Sequence, residues 1–286
     1  MKKILMKVTV AGFLFSSVLV SQGCGKEQEK IETWDGTIKD VSEAIDGVIT
    51  IETAEELAGV AKSVNEGNKY TGYTIKLAVD MDLANKEWTP IGYGFSNYVG
   101  EIEKGAVFDG TFDGNNKTIY NLKITQFNKG GQGDDNASTG VGFIGQNSGE
   151  IKNLTIDGAN VIGNHYVGII SGFNLNSIIT NCHVKNSELN AVYHNEDDSG
   201  DKAGSIVGHF ARGLYENDVA SLINCSASNV SVKADRDAGQ IIGSLSNGSI
   251  ESNNTAVNVS VSWNESGNIV NKSNTNIKNE IVGRIS

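Results

Sequence analysis

Gly142-Phe-Ile-Gly-Gln-Asn-Ser-Gly-Glu-Ile-Lys-Asn-Leu-Thr-Ile-Asp-Gly158 contains two short units that return through the rest of the chain. The asparagine unit reads Asn121-Leu-Lys-Ile124, Asn153-Leu-Thr-Ile156, Asn181-Cys-His-Val184, Asn224-Cys-Ser-Ala227 and Asn253-Asn-Thr-Ala256. Five residues after each Asn comes Gln126, Gly158, Asn186, Asn229 or Asn258. The glycine unit precedes the last four copies as Gly142-Phe-Ile-Gly145, Ile169-Ile-Ser-Gly172, Ser205-Ile-Val-Gly208 and Gln240-Ile-Ile-Gly243, and a fifth copy is Glu280-Ile-Val-Gly283. The asparagine starts lie 32, 28, 43 and 29 residues apart, the period of a stacked repeat array.

The kind of array follows from side-chain alternation. Leu154 and Ile156, Cys182 and Val184, and Val230 and Val232 are apolar at every second position. Period two means strand, which excludes helical solenoids. Gly and Asn between the strands tolerate the left-handed backbone that sharp corners need. A chain coiling this way stacks successive turns at the strand-pairing distance of about 4.8 Å. Equivalent residues then form rows up the axis. The expected inward rows are Leu122, Leu154, Cys182, Cys225, Asn254 and, beside it, Ile124, Ile156, Val184, Ala227, Ala256. The Asn121, Asn153, Asn181, Asn224 and Asn253 amides are expected to hydrogen-bond along the stack. In such a row Cys182 and Cys225 serve as small buried apolar residues, with a disulfide between them as the alternative.

Working outward, 34 Gly, one Pro and 7% aromatic residues in 286 fit many short strands joined by tight turns. Lys2, Lys3 and Lys7 precede an apolar stretch, Val8–Val20, that is too short to span a bilayer. With Gly23 before Cys24, this resembles a bacterial lipoprotein signal. That implies residues 1–23 as signal peptide, lipidation of Cys24, and 24–35 as a charged tether. Export to the bacterial cell envelope and a membrane contact through the lipid are expected. Without the three signal lysines, 20 basic residues against 34 acidic ones leave a net charge of −14. So acidic a chain, with no basic cluster, argues against nucleic-acid partners.

The repeat units resemble the GLUG-motif proteins, exported bacterial repeat proteins, over more than half the chain. Gly142-Phe-Ile-Gly145 matches the Gly-Leu-hydrophobic-Gly unit, and Ile179-Thr-Asn-Cys182 and Leu222-Ile-Asn-Cys225 match its Ile-x-Asn-Cys companion. The other glycine units keep the final Gly and carry Ile169, Ser205, Gln240 or Glu280 in first place. The resemblance implies an all-β fold, a single-stranded right-handed parallel β-helix of the pectin-lyase-like kind, over 36–286, with repeats over about 108–286. Thr53-Ala-Glu-Glu56 is a capping box. Leu57, Val60, Ala61 and Val64 form one helical face and Gly67 a stop, so a helix over about 53–66 is expected to cap the first coil. Trp88 is expected to pack at that coil.

Some β-helices cleave polysaccharides, so candidates for chemistry need weighing. Asp109 and Asp113 lie in Asp-Gly turns, where turn chemistry accounts for them. Asp134 and Asp135, and Asp197, Asp198 and Asp201, sit in the stretches that lengthen repeats. A solvated acidic loop is the bland reading; contact to a ligand or to calcium is the sharper one. His209, in Gly208-His-Phe210, reads as incidental, and His165, His183 and His194 show no metal-ligand spacing. Phosphate-loop, Gly-x-Ser-x-Gly and zinc-protease motifs are all lacking. The resulting expectation is a monomeric, non-enzymatic adhesin or surface binding module for a glycan or a host or matrix protein. Its contacts would lie in loops near Asn128–Thr139, Tyr193–Lys202 and Ala211–Ala220. Two alternatives stay open: a calcium-assisted polysaccharide lyase or glycoside hydrolase, and a structural spacer without a ligand.

Overall fold

The computed structural model describes residues 31–96, 102–126, 140–192, 201–213, 218–235, 237–246, 250–263 and 282–285. Among the described residues, strands make up 54% and helix 6%. Nearly all pairing is parallel. In the longest sheet Thr74–Leu77 lies beside Thr111–Tyr120, which lies beside Glu150–Asp157. His183–Ala191, Ser226–Ala234 and Thr255–Trp263 follow in turn. A second parallel sheet runs through Ile144–Asn147, Ser171–Leu175, Val207–Ala211, Ile242–Ser246 and Val282–Ile285. A third runs through Gly140–Val141, Tyr166–Gly168, Lys202–Gly204 and Asp237–Gly239. Each repeat thus adds one rung to every sheet, which is what period-two patterning between Gly and Asn corners dictates.

The inward rows form the core. Ile119, Ile156, Val184, Ala227 and Ala256 pair in one register. Leu154, Cys182 and Cys225 are fully buried beside them. Asn254 ends that row differently. Its Oδ1 accepts the Cys225 N–H at 2.9 Å and its Nδ2 donates to the Leu222 carbonyl at 3.0 Å, so it satisfies backbone groups at the last rung.

Two registers differ from the expected ones. Asn121 does not stand in the Asn153 row. Ile124 pairs with Val161, and the Asn121 N–H donates to the Asp157 carbonyl at 2.9 Å, so Asn121 stands over Gly158. Leu122 and Ile124 therefore belong with Ala159 and Val161, and Lys117 is the residue opposite Leu154. The long strand turns twice, each time through a left-handed residue that is Asn except at Gly158, and the inward residue that follows is apolar except at Ser187 and Asn254. The two corners consequently carry the same local string. The glycine unit is also offset by one. Val141 pairs with Val167, and Gly168, Gly204 and Gly239 align. The first glycine is thus kept in those three repeats, one residue earlier than the fixed spacing of Gly142-Phe-Ile-Gly145 suggests, with one residue inserted before the second.

The second glycine of the unit is fixed by a close approach. A Cβ on Gly172, Gly208 or Gly243 would lie 2.2, 2.4 or 2.6 Å from the backbone N of Val141, Val167 or Ala203. These are equivalent atoms of the third sheet, one coil earlier. The second and third sheets meet backbone to backbone there, and any side chain would push them apart.

At the N-terminal end, helix α1 (Ala54–Asn65) covers the first coil with Leu57, Val60, Ala61 and Val64 buried. Thr53 Oγ1 accepts the Glu56 N–H at 3.2 Å, and Glu56 Oε2 accepts the Glu52 N–H at 3.0 Å. The Asn65 side chain ties the far end of the helix to the coil through the Pro90 carbonyl (3.0 Å) and the Gly92 N–H (2.9 Å). Trp88 is buried, stacked on Phe143 with centroids 5.5 Å apart, and meets Trp34 edge to face at 5.6 Å. Glu32–Thr33, within the 24–35 stretch read as tether, pairs with Met81–Asp82. Gly94–Ser96 and Ile102–Gly105 form an antiparallel pair, an excursion the repeat pattern does not announce.

Candidate functional site

The corners of the long strand repeat one backbone conformation from coil to coil. Asn153, Asn181, Asn224 and Asn253 have φ between 52 and 55°, and Asn121, Asn186, Asn229 and Asn258 between 47 and 56°. Asn is the non-glycine residue best suited to this region, and its side chain then projects at the corner. At the second corner the amides join into a ladder. Asn186 Nδ2 donates to Asp157 Oδ1 at 2.9 Å, Asn229 to Asn186 at 3.1 Å and Asn258 to Asn229 at 3.2 Å. The outer surface is concave beside this ladder. A groove of about 550 Å³ follows it, lined by Asn186, Asn229 and Asn258 with Glu188, Ser231 and Ser260 among the facing residues.

The first corner carries a longer chain of hydrogen bonds. Asn153 Nδ2 donates to Asp113 Oδ1 at 3.1 Å, and Asn181 Nδ2 to Asn153 Oδ1 at 2.9 Å. His183 Nε2 stands 3.2 Å from Asn181 Oδ1, and His183 Nδ1 2.8 Å from Ser226 Oγ. The amide directions assign the tautomer: Nε2–H donates to Asn181, and Nδ1 accepts the Ser226 hydroxyl proton. One directional chain therefore stitches four coils together and ends on a carboxylate. Burial, then the charge of Lys185, lowers the His183 pKa and favours the neutral ring this chain needs. A hydroxyl beside an imidazole resembles a nucleophile and its base, but acyl transfer also needs N–H donors aimed at an oxyanion. The Ser226 N–H is spent on the Cys182 carbonyl and the Thr255 N–H on that of Cys225, both at 3.0 Å. Both of these N–H groups are engaged within the sheet.

His209 is part of a stack. Its ring lies 4.7 Å from Tyr166 and 5.5 Å from Phe173, and its Nδ1 is 2.5 Å from Ser244 Oγ. Lys202 Nζ sits 4.9 Å from the centre of the Tyr166 ring. Burial, and secondarily the Lys202 charge, pushes the pKa of His209 down to about 3 and that of His165 down to about 4. The stack joins the third sheet, through Tyr166, to the second, through Phe173 and His209.

Of the acidic candidates, Asp134, Asp135, Asp197 and Asp198 lie outside the described residues, as does Cys24. Asp201 is buried and its carboxylate accepts the His165 N–H at 3.2 Å, which places it in the frame of the third sheet. Among the described residues no three His, Cys, Asp or Glu side chains gather into a metal-holding group, and no helix is long and apolar enough to cross a membrane. Asp113 accepts the Asn115 N–H at 2.8 Å and Asp109 the Thr71 hydroxyl at 2.7 Å, turn and loop roles for both. Cys182 and Cys225 are buried free thiols, and burial pushes the Cys182 thiol up.

No known protein family's model matches this chain. An 83-residue stretch, 28% of the chain, is 36% identical to Halomucin of Haloquadratum walsbyi, and spans 1% of that protein. Among solved structures, the chain resembles a Bacteroides ovatus protein whose assignment as an immunoglobulin A1 protease is provisional. The TM-score is 0.55 and the identity 19%, and the match covers 87% of this chain and 65% of that one. At that identity the likeness concerns the fold alone. What these comparisons define is a class of architecture, a mostly β chain of parallel stacked sheets.

Proposed function

We propose that this chain is a lipid-anchored protein of the bacterial cell envelope, folded as a right-handed parallel β-helix of the GLUG-motif kind. We assign it the work of a non-enzymatic, monomeric surface binding module. The observation that carries this reading is the second-corner ladder. Rigid coils present identical amides, rung after rung, along an open polar groove. Supporting it are the expected lipid site at Cys24, the charged residues that follow it, and a hydrogen-bond network in which the half-buried histidines are tied to neighbours within the sheets. A rod held off a membrane and carrying a preorganised face is suited to contact rather than turnover.

The test has two readouts. Cells fed an alkyne-bearing fatty acid should label the full chain, and Cys24→Ser should abolish the label. The chain should also bind members of a glycan or matrix-protein array, without chemical change to the bound material in the presence or absence of calcium. Turnover of a polysaccharide would favour the lyase or hydrolase alternative. A chain that bound nothing would favour the spacer.

A further inference from the structure

We infer that the second-corner groove binds an uncharged polysaccharide lying along the stacking axis. This deepens the binding-module reading and rests on it.

The first support is hydrogen-bonding capacity. An asparagine amide has two N–H donors and an oxygen with two lone pairs. Along this ladder each amide spends one donor on the rung before it, and Asn186 and Asn229 each give up one lone pair to the rung after. The amides of these exposed residues therefore keep both a donor and an acceptor available at a fixed position and angle. Ser231 and Ser260 add hydroxyls that donate and accept. A sugar hydroxyl has the same dual character, so the groove and a carbohydrate complement one another group for group.

The second support is charge. Among the described residues, Glu188 is the one ionisable side chain lining the groove, and it is acidic. The chain as a whole is strongly acidic. A polyuronate or sulfated glycan would meet repulsion here with no Lys or Arg of the described lining to offset it. A neutral chain would not.

The third support is periodicity. Equivalent amides recur at the rung spacing of about 4.8 Å, roughly the length of one pyranose along an extended glycan. The groove reaches from Asn85 to Ser260 across successive coils. A polymer aligned with the axis can repeat one contact at several rungs, and individually weak contacts then sum without the binding face having to order itself. The described lining holds no aromatic ring, so affinity must come from such repetition and single sugars should bind poorly.

The experiment uses the full-length chain in detergent, titrated calorimetrically with neutral hexasaccharides (glucan, mannan and chitin types) and with oligogalacturonate as the acidic comparison. Ser231→Arg with Ser260→Arg fills the groove from its outward positions. Thr180→Arg, on another part of the same sheet, is the control. The expected result is binding of at least one neutral hexasaccharide that weakens about tenfold or more in the double variant and is unchanged in the control. Circular dichroism of the variants checks that the coils remain. Neutral-glycan binding indifferent to the groove variants would overturn this assignment and leave the binding-module reading standing. Binding only of oligogalacturonate or of a matrix protein would do the same. Binding of nothing, on these probes and on the wider array, would overturn both.

Discussion

Replacing Gly208 by alanine tests the backbone-to-backbone seam where the second and third sheets meet. The added Cβ would sit 2.4 Å from the Val167 N, 2.5 Å from the Tyr166 carbonyl carbon and 2.8 Å from the Gly172 oxygen. All three are backbone atoms of a hydrogen-bonded sheet, so none can swing aside as a flexible side chain would. Reaching ordinary contact requires the sheets to part by roughly 1 Å. Overpacking of this kind costs about 1–3 kcal/mol, and the rigid neighbours place Gly208→Ala at the upper end. For a domain of this size that is a fall in melting temperature of roughly 6–12 °C. Gly72→Ala separates the clash from backbone strain. Gly72 has φ +80° with nothing within 4 Å of its Cβ, so its substitution should cost only about 1–2 kcal/mol. Both variants are followed by far-UV circular dichroism at one heating rate. Melting of Gly208→Ala within the range of Gly72→Ala, or of the parent chain, would refute the seam.

Three further outcomes follow from the same geometry. Gly158→Asn fills the one gap in the second-corner row with the residue its neighbours use. A Cβ there meets Asn121 alone, its Oδ1 at 3.1 Å and its backbone N at an ordinary 3.8 Å, so a gain of about 0.5–1 kcal/mol in urea unfolding is expected, and a loss would contradict the ladder. His165 and His209 are held neutral in the folded chain, whereas the unfolded chain takes up protons below about pH 6.5. Their contribution to stability is therefore complete above that pH and is lost as pH falls toward about 4 for His165 and about 3 for His209, at no more than about 1.4 kcal/mol per unit for each. The urea midpoint should drop between neutral and mildly acid pH, and His209→Phe, which keeps the stack, should flatten the slope; a pH-independent midpoint in the parent would contradict this. Cys182 and Cys225 have no exposed surface, so in a Cys24→Ser chain a thiol reagent should modify them only as fast as the chain unfolds, and rapid labelling of that native protein would show the inward row to be wrong.

The strand character and the inward rows from Leu154, Ile156, Cys182 and Val184 onward were legible because alternation is a local property of the chain. So were the capping helix and the packing of Trp88, each marked by its own residues. Register was less so. Asn121 carries the string of the first corner but stands at the second, and only pairing with Asp157 and Val161 distinguishes them. The offset between Gly142-Phe-Ile-Gly145 and Gly168-Ile-Ile-Ser-Gly172 is likewise invisible until Val141 is laid beside Val167. The second-corner asparagines were visible as a row, but their groove was not, because concavity belongs to the stacked strands together and not to any one of them. The His183–Ser226 contact joins residues 43 apart, the spacing of the Asn181 and Asn224 copies, so the repeat register sets the two side by side, while the hydrogen bond between them depends on side-chain geometry that the register does not give.

The groove exists only if the coils stack in parallel and in register. Thr118, Thr155, His183, Ser226 and Thr255 form one outward column, so Thr118 and Thr255 stand four rungs apart. Spin labels at Thr118→Cys and Thr255→Cys, in a chain whose three native cysteines are replaced by alanine, measure that separation by pulsed electron resonance. The parallel stack predicts a single narrow distribution centred near about 19 Å, widened only by the label linkers. A broad distribution, or a most populated distance half as long again, would contradict it.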